Sequence, residues 1–160
     1  MEGFLEIFET VPQWFWIGLS FFYGAIVGSF LNVCIYRIPR DEEVVKTPSH
    51  CVHCKAQIPW YLNIPIFSWL VLMGKTKCCG KPLNIRYPFV ELLSASFTTF
   101  FALKYGFSLE LLWACLFTWL MIILIMIDAE HMLLPNIITL PAIVIGLIFS
   151  LLGVGFVNMG

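Results

Sequence analysis

The chain has 160 residues, 60% of them hydrophobic and 12% charged, with a net charge of −1 and a mean hydropathy of +0.90. Soluble domains run at about 45–50% apolar and about 25% charged, so this chain carries more apolar surface than one small core can hide. The composition excludes an ordinary soluble domain, a disordered chain and a polyelectrolyte that binds nucleic acid, and points to an all-α polytopic membrane protein.

In chain order, an acidic N-terminus with Glu2, Glu6 and Glu9 precedes an uncharged stretch at 14–35. Further apolar stretches follow at 88–103, 111–127 and 137–157. A membrane-crossing helix needs about 20 mostly apolar residues, so about four transmembrane helices are expected. The run at 59–73 is shorter and holds Pro59 and Pro65, which suits an interfacial or re-entrant piece better than a span. Eight of the nine Lys and Arg residues lie between Arg37 and Arg86. The positive-inside rule therefore places 37–87 and 128–136 in the cytoplasm and the N-terminus outside. No basic segment precedes the first apolar stretch, so a cleaved signal peptide is not expected. Three parts result: 1–36 with the first span, a cytoplasmic cysteine-containing loop at 37–87, and three helices at 88–160.

The loop carries Cys51-x2-Cys54 and, 24 residues after Cys54, the adjacent pair Cys78 and Cys79. Paired cysteines at such a separation read as a structural zinc site of ribbon type. The competing readings are a disulfide, disfavoured in a reducing compartment, and unligated thiols. The second pair is irregular, because Thr76 stands where a regular ribbon has its third cysteine. Cys78 is then the expected substitute, with His53 and His50 as alternative fourth ligands. Cys34 and Cys115 fall in spans and read as packing residues.

Gly24-x3-Gly28, extended by Ser29 and Asn32, is a small-residue stripe that lets membrane helices approach closely. Asn32 is expected to hold a structural hydrogen bond, with a catalytic carboxylate as the competing partner. Two carboxylates fall at span edges, where ionisable groups are costly and invite functional explanations. Glu91 follows Pro88 and reads as a helix-start residue near the interface. Asp128 ends the third span, where low dielectric and the helix C-terminus both disfavour its ionised form. A carboxylic acid tuned in that way suits general acid/base work, and the Leu134-Pro135-Asn136 turn opens the backbone beside it.

These segments together resemble the bacterial type IV prepilin peptidases. The resemblance rests on Gly28-Ser29-Phe30-Leu31-Asn32-Val33 with Tyr36-Arg37, on Cys51-Val52-His53-Cys54, and on Ile58-Pro59-Trp60-Tyr61-Leu62-Asn63-Ile64-Pro65. It continues through Ser68-Trp69-Leu70, Arg86-Tyr87-Pro88 with Glu91, and Asp128-x5-Leu134-Pro135-Asn136, in family order. It implies an intramembrane aspartic endopeptidase that removes a basic leader from prepilins or pseudopilins at the cytoplasmic face of the inner membrane. It also implies N-methylation of the new N-terminus with S-adenosylmethionine. Asp128 matches the first catalytic aspartate, and Cys51, Cys54 and Cys79 match three of the four loop cysteines.

The family's second aspartate stands in a Gly-x-Gly-Asp motif that this sequence lacks; Gly153-Val154-Gly155-Phe156 has the glycines without the acid. Aspartic proteolysis uses two carboxylates sharing a proton. The 160-residue chain by itself is therefore expected not to cleave, with a C-terminal fragment or second subunit supplying the other acid. Glu91 and Glu130 are the conceivable surrogates. The alternative is a non-catalytic truncated paralogue that acts as a membrane binding module in pilus or secretion assembly.

Overall fold

The structure, a computed structural model, describes residues 11–45 and 48–151. Regular structure among them is helical: α1 (Gln13–Arg37), α2 (Phe67–Val71), α3 (Arg86–Tyr105), α4 (Leu109–His131) and α5 (Asn136–Leu151), with 3-10 turns at Ile38–Arg40 and Trp60–Asn63. No strand occurs among the described residues. Two isolated antiparallel bridges, His50 with Gln57 and Lys75 with Pro82, close turns in the cysteine loop. The glycine pair at 153 and 155 lies outside the described residues.

Among the described residues, two helices are long and apolar enough to cross a membrane: Gln13–Arg40, which includes the 3-10 turn, and Leu109–His131. α3 has 20 residues but spends several on polar side chains. Glu91, Ser94 and Thr98 are buried on one face of it, at the helical spacing that stacks them along a single stripe. That stripe meets the glycines of α1. A Cβ on Gly24 would lie 2.8 Å from the Ala95 Cα, and one on Gly28 would lie 2.7 Å from the Glu91 Cα. The Ser94 hydroxyl donates to the Gly24 carbonyl at 2.7 Å. The small-residue stripe is thus a packing face, and α3 is what packs on it.

The apolar core gathers where α4 joins this pair. Leu31 and Ile35 of α1, Val90 of α3, and Ile122, Ile123 and Ile127 of α4 form one buried cluster, with Cys34 among them. Outward faces stay apolar. Phe22, Phe30, Phe100, Phe117 and Ile125 are each more than half exposed, the distribution expected of helices that face lipid.

Local chemistry sets the boundaries. Ser108 caps α4 by accepting from the Leu111 N–H at 3.3 Å, and Gly106 at φ 61° turns the chain out of α3. α3 begins at Arg86, whose N–H donates to the Asn84 side chain at 2.9 Å. Pro88 is tolerated there because the first helical turn lacks N–H acceptors in any case. The buried Arg37 ends α1 and donates to the carbonyls of Glu43, Val44 and Pro48, anchoring the start of the loop against the helix.

Candidate functional site

The loop folds into two similar turns. In the first, the Cys51 N–H donates to Ala56 O at 2.8 Å and the Lys55 N–H to Cys51 O at 2.9 Å. In the second, the Thr76 N–H donates to Lys81 O at 2.8 Å and the Gly80 N–H to Thr76 O at 2.9 Å. Lys55 at φ 59° and Gly80 at φ 66° supply the left-handed residue each turn needs. Superposed by their bridges, Thr76 takes the place of Cys51, Cys79 that of Cys54, and Cys78 that of His53.

The irregular pair nonetheless converges. The Sγ atoms of Cys51, Cys54, Cys78 and Cys79 all lie within 4.8 Å of one another. Cys54 and Cys78 are 3.2 Å apart, and Cys51 and Cys79 3.9 Å. Four thiolates bound tetrahedrally at the usual zinc–sulfur length of 2.3 Å stand about 3.8 Å apart, so the four cysteines could hold a metal ion. His53 turns away, its Nε2 lying 3.3 Å from Pro82 O, and His50 Nδ1 lies 3.3 Å from Pro48 O. Thr76 supports the cluster from one side, its hydroxyl 3.1 Å from the Cys79 Sγ and 3.1 Å from Lys81 O.

The thiols differ in acidity. Burial opposes ionising Cys51, but the backbone N–H groups of Cys54 and His53 and the neighbouring thiols bring it down to about 6. The Thr76 hydroxyl and the Lys81 backbone lower Cys79. Cys78, crowded by Cys54 and Cys51, is pushed up to about 12. The cluster thus gives up its first protons readily and holds the last. A bound dication would draw off the remaining protons as well, since thiolate ligation and proton release are coupled.

Asp128 is exposed in the last turn of α4, which ends where Met132 enters the left-handed region at φ 52° and donates its N–H to Asp128 O at 2.8 Å. Packing among the described residues does not bury it. Glu130 pairs with the Arg86 guanidinium, an interaction that the sequence reading missed. It ties the end of α4 to the start of α3, and therefore to the end of the cysteine loop.

Glu91 corrects an expectation. It lies in the second turn of α3, not at the helix start, because the helix begins two residues before Pro88. It is 7% exposed and accepts the Ile66 N–H at 2.6 Å. The signal was present in the sequence as the polar stripe Glu91, Ser94, Thr98, whose spacing matches the small residues of α1. Asn32, 2% exposed, donates to the carbonyls of Tyr87 at 3.0 Å and Gly28 at 3.4 Å, in keeping with the expected structural role. Both residues line a cavity of about 620 Å³ bounded by α1, the loop and the start of α3; Asp128 is not among its lining residues.

The sequence matches the description "Bacterial Peptidase A24 N-terminal domain" over residues 22–105 and "Type IV leader peptidase family" over residues 115–160. A protein of Aeromonas hydrophila named prepilin leader peptidase/N-methyltransferase is 37% identical, covering 100% of this chain and 63% of its own length. Proteins of the same name from Dichelobacter nodosus and Myxococcus xanthus are 37% and 41% identical, over 96% and 79% of this chain and 62% and 38% of their own lengths. The chain spans less than two thirds of the length of these curated relatives. No solved structure matches it. The thiol cluster and Glu91 fall in the first matched region and Asp128 in the second, and with the N-terminal domain match extending over more than half of its residues, the chain belongs to the type IV leader peptidase family.

Proposed function

We propose that the chain forms the N-terminal part of a prepilin leader peptidase and N-methyltransferase of the bacterial inner membrane. It crosses the bilayer four times with its N-terminus outside and its cysteine loop in the cytoplasm. The eight-to-one distribution of basic residues and the apolar outward faces of the helices support this arrangement. The cysteine cluster holds one structural zinc ion that fixes the loop, supported by the convergence of four thiols at zinc-compatible spacing. S-adenosylmethionine supplies the methyl group, and prepilin or a pseudopilin is the substrate.

The observation that carries the peptidase reading is the position of Asp128. It is an exposed acid at the end of an apolar helix, held beside the basic loop by the Arg86–Glu130 pair, where a basic leader arriving from the cytoplasm meets it. Asp128 exchanges a proton with a second carboxylate supplied by a segment or subunit beyond these 160 residues. Two such groups about 3 Å apart cannot both ionise, which leaves one as base and one as acid. The surrogates are otherwise engaged: Glu130 by Arg86, and Glu91 by the Ile66 N–H inside a cavity that Asp128 does not reach.

The test is cleavage of a purified prepilin by the 160-residue chain alone, by the chain complemented with the C-terminal helices of a relative, and by the complemented Asp128→Asn form. The chain alone should be inert and the complemented form active. Asn keeps the shape but cannot exchange the proton, so it should lower cleavage by at least about a hundredfold. Cleavage by the chain alone would reveal a second acid within it. Wild-type rates in the Asn form would remove Asp128 from the reaction.

A further inference from the structure

α3 begins at Arg86, and α4 ends at His131, one residue after Glu130. A helix N-terminus disfavours a cation and a helix C-terminus disfavours an anion. Arg86 and Glu130 therefore each stand at the wrong end of their own helix, and they pair with each other across the two ends. A local choice that conflicts with its own element in this way marks a requirement set elsewhere in the molecule. Nor is the pair an ordinary surface contact, which would contribute little. The Arg86 side chain is 9% exposed and that of Glu130 33%, so removing either partner leaves the other poorly solvated and uncompensated.

What the pair holds is the last turn of α4. Ile127 is fully buried in the core shared with α1 and α3. Beyond it the packing thins. Asp128, Ala129 and Glu130 are exposed, and Met132, Leu133 and Leu134 are each more than half exposed. Among the described residues, no other side-chain hydrogen bond or ion pair ties this turn to another element. An α-helix turns about 100° per residue. Glu130 therefore lies about 60° to one side of Ile127 and Asp128 about 100° to the other. With Glu130 held against the start of α3, Asp128 is turned about 160° away from it, onto the outward side of α4.

The anchor on the α3 side is itself fixed. The Arg86 N–H donates to the Asn84 side chain, and the guanidinium lies 5.2 Å from the centre of the Tyr87 ring. The other titratable groups at this joint are Tyr87, Tyr36 and His131. None of them is a fixed cation that could take the place of Arg86.

We propose that Arg86 and Glu130 are positioning residues for the peptidase reaction. Their ion pair sets the rotation of the last turn of α4, and with it the distance between Asp128 and the second carboxylate. The inference rests on the reading of Asp128 as one half of an aspartyl dyad and adds the device that aims it. Two carboxylates about 3 Å apart titrate in two separated steps, and the reactive form with one shared proton occupies the pH range between them. A last turn free to rotate lets the two groups separate, which brings the steps together and narrows that range. A variant that only lowers the folded fraction slows cleavage without changing the range.

The test is the pH profile of kcat and KM for cleavage of a purified prepilin by the chain complemented with the C-terminal helices of a relative. Arg86→Gln and Glu130→Gln should each lower kcat about 10- to 100-fold, the scale of a small misplacement of a reacting group. KM should stay within about twofold, and the bell-shaped kcat profile should narrow by about one pH unit. Arg86→Glu combined with Glu130→Arg rebuilds the pair with each charge at the helix end that favours it. That double variant should recover the width of the profile and bring kcat to within about threefold of wild type, with a thermal midpoint no lower than wild type. Arg86→Lys, which keeps the cation, should retain the width even if the exchanged pair does not assemble.

Wild-type kcat in both Gln variants, a lowered kcat with unchanged width, or a folded exchanged pair as slow as the single variants would overturn the assignment and leave Asp128 in the reaction. Narrowing in Arg86→Lys equal to that in Arg86→Gln would do the same. A complemented wild type that does not cleave would overturn the Asp128 reading and this inference together.

Discussion

A Cβ on Gly28 would stand 2.7 Å from the Cα of Glu91, a backbone atom that cannot rotate away, whereas a Cβ on Gly18 would meet nothing within 4 Å. In lipid, helix association depends on such close approach, because burial of apolar surface gains little there. Both substitutions to alanine raise helix propensity by up to about 1 kcal/mol. Only Gly28→Ala must also separate α1 from α3, and overpacking of this kind costs about 1–3 kcal/mol. Gly28→Ala should therefore lower the thermal midpoint of the detergent-solubilised protein, while Gly18→Ala leaves it unchanged or raises it. Matching midpoints would mean that α1 and α3 do not pack through this glycine. The small-residue stripe was legible as a packing face because its spacing is helical. Glu91 was misread because Pro88 suggested a helix start that local hydrogen bonding by Asn84 moves two residues upstream.

The loop turns are the elements that sequence spacing describes least well. A C-x2-C rule finds Cys51 and Cys54 but cannot place Cys78, since the second turn puts Thr76 where a ligand is expected and presents two adjacent thiols instead. What allows this is backbone conformation: Gly80 at φ 66° repeats the turn made at Lys55, and the Thr76 hydroxyl supports Cys79 from the side. Elemental analysis of protein purified without added metal should find about one zinc per chain, as a closed four-ligand site requires. Cys78→Ser should lose most of that zinc. Thr76→Val should keep it, because the hydroxyl steadies a ligand without being one. Full zinc content in Cys78→Ser with loss in His53→Ala would make the histidine the fourth ligand. The long helices were easier to read. Apolar runs leave few alternatives to a helix, and α4 extends past its apolar run of 111–127 to Leu109–His131 because Ser108 caps its start and the last turn continues through Asp128 to His131.

At the scale of the whole molecule, Asp128 and Glu91 stand apart. One end of α4 presents Asp128 beside the basic loop, and the α1–α3 pair with the loop encloses Glu91 in a cavity that Asp128 does not line. The matched regions divide the sequence at the same place, between residues 105 and 115. The division was only half visible in the sequence. Asp128 was readable from its position at the end of an apolar run, but the cavity is built from segments up to 65 residues apart and from a strained turn at Ile66 that no local pattern announces. The most direct measurement is mass spectrometry of a prepilin after incubation with the complemented enzyme in two forms. The wild type should yield pilin that has lost its leader and gained one methyl group. Asp128→Asn should leave the leader attached. Leaderless pilin from the Asp128→Asn form, or an intact leader after incubation with the complemented wild type, would contradict the peptidase reading.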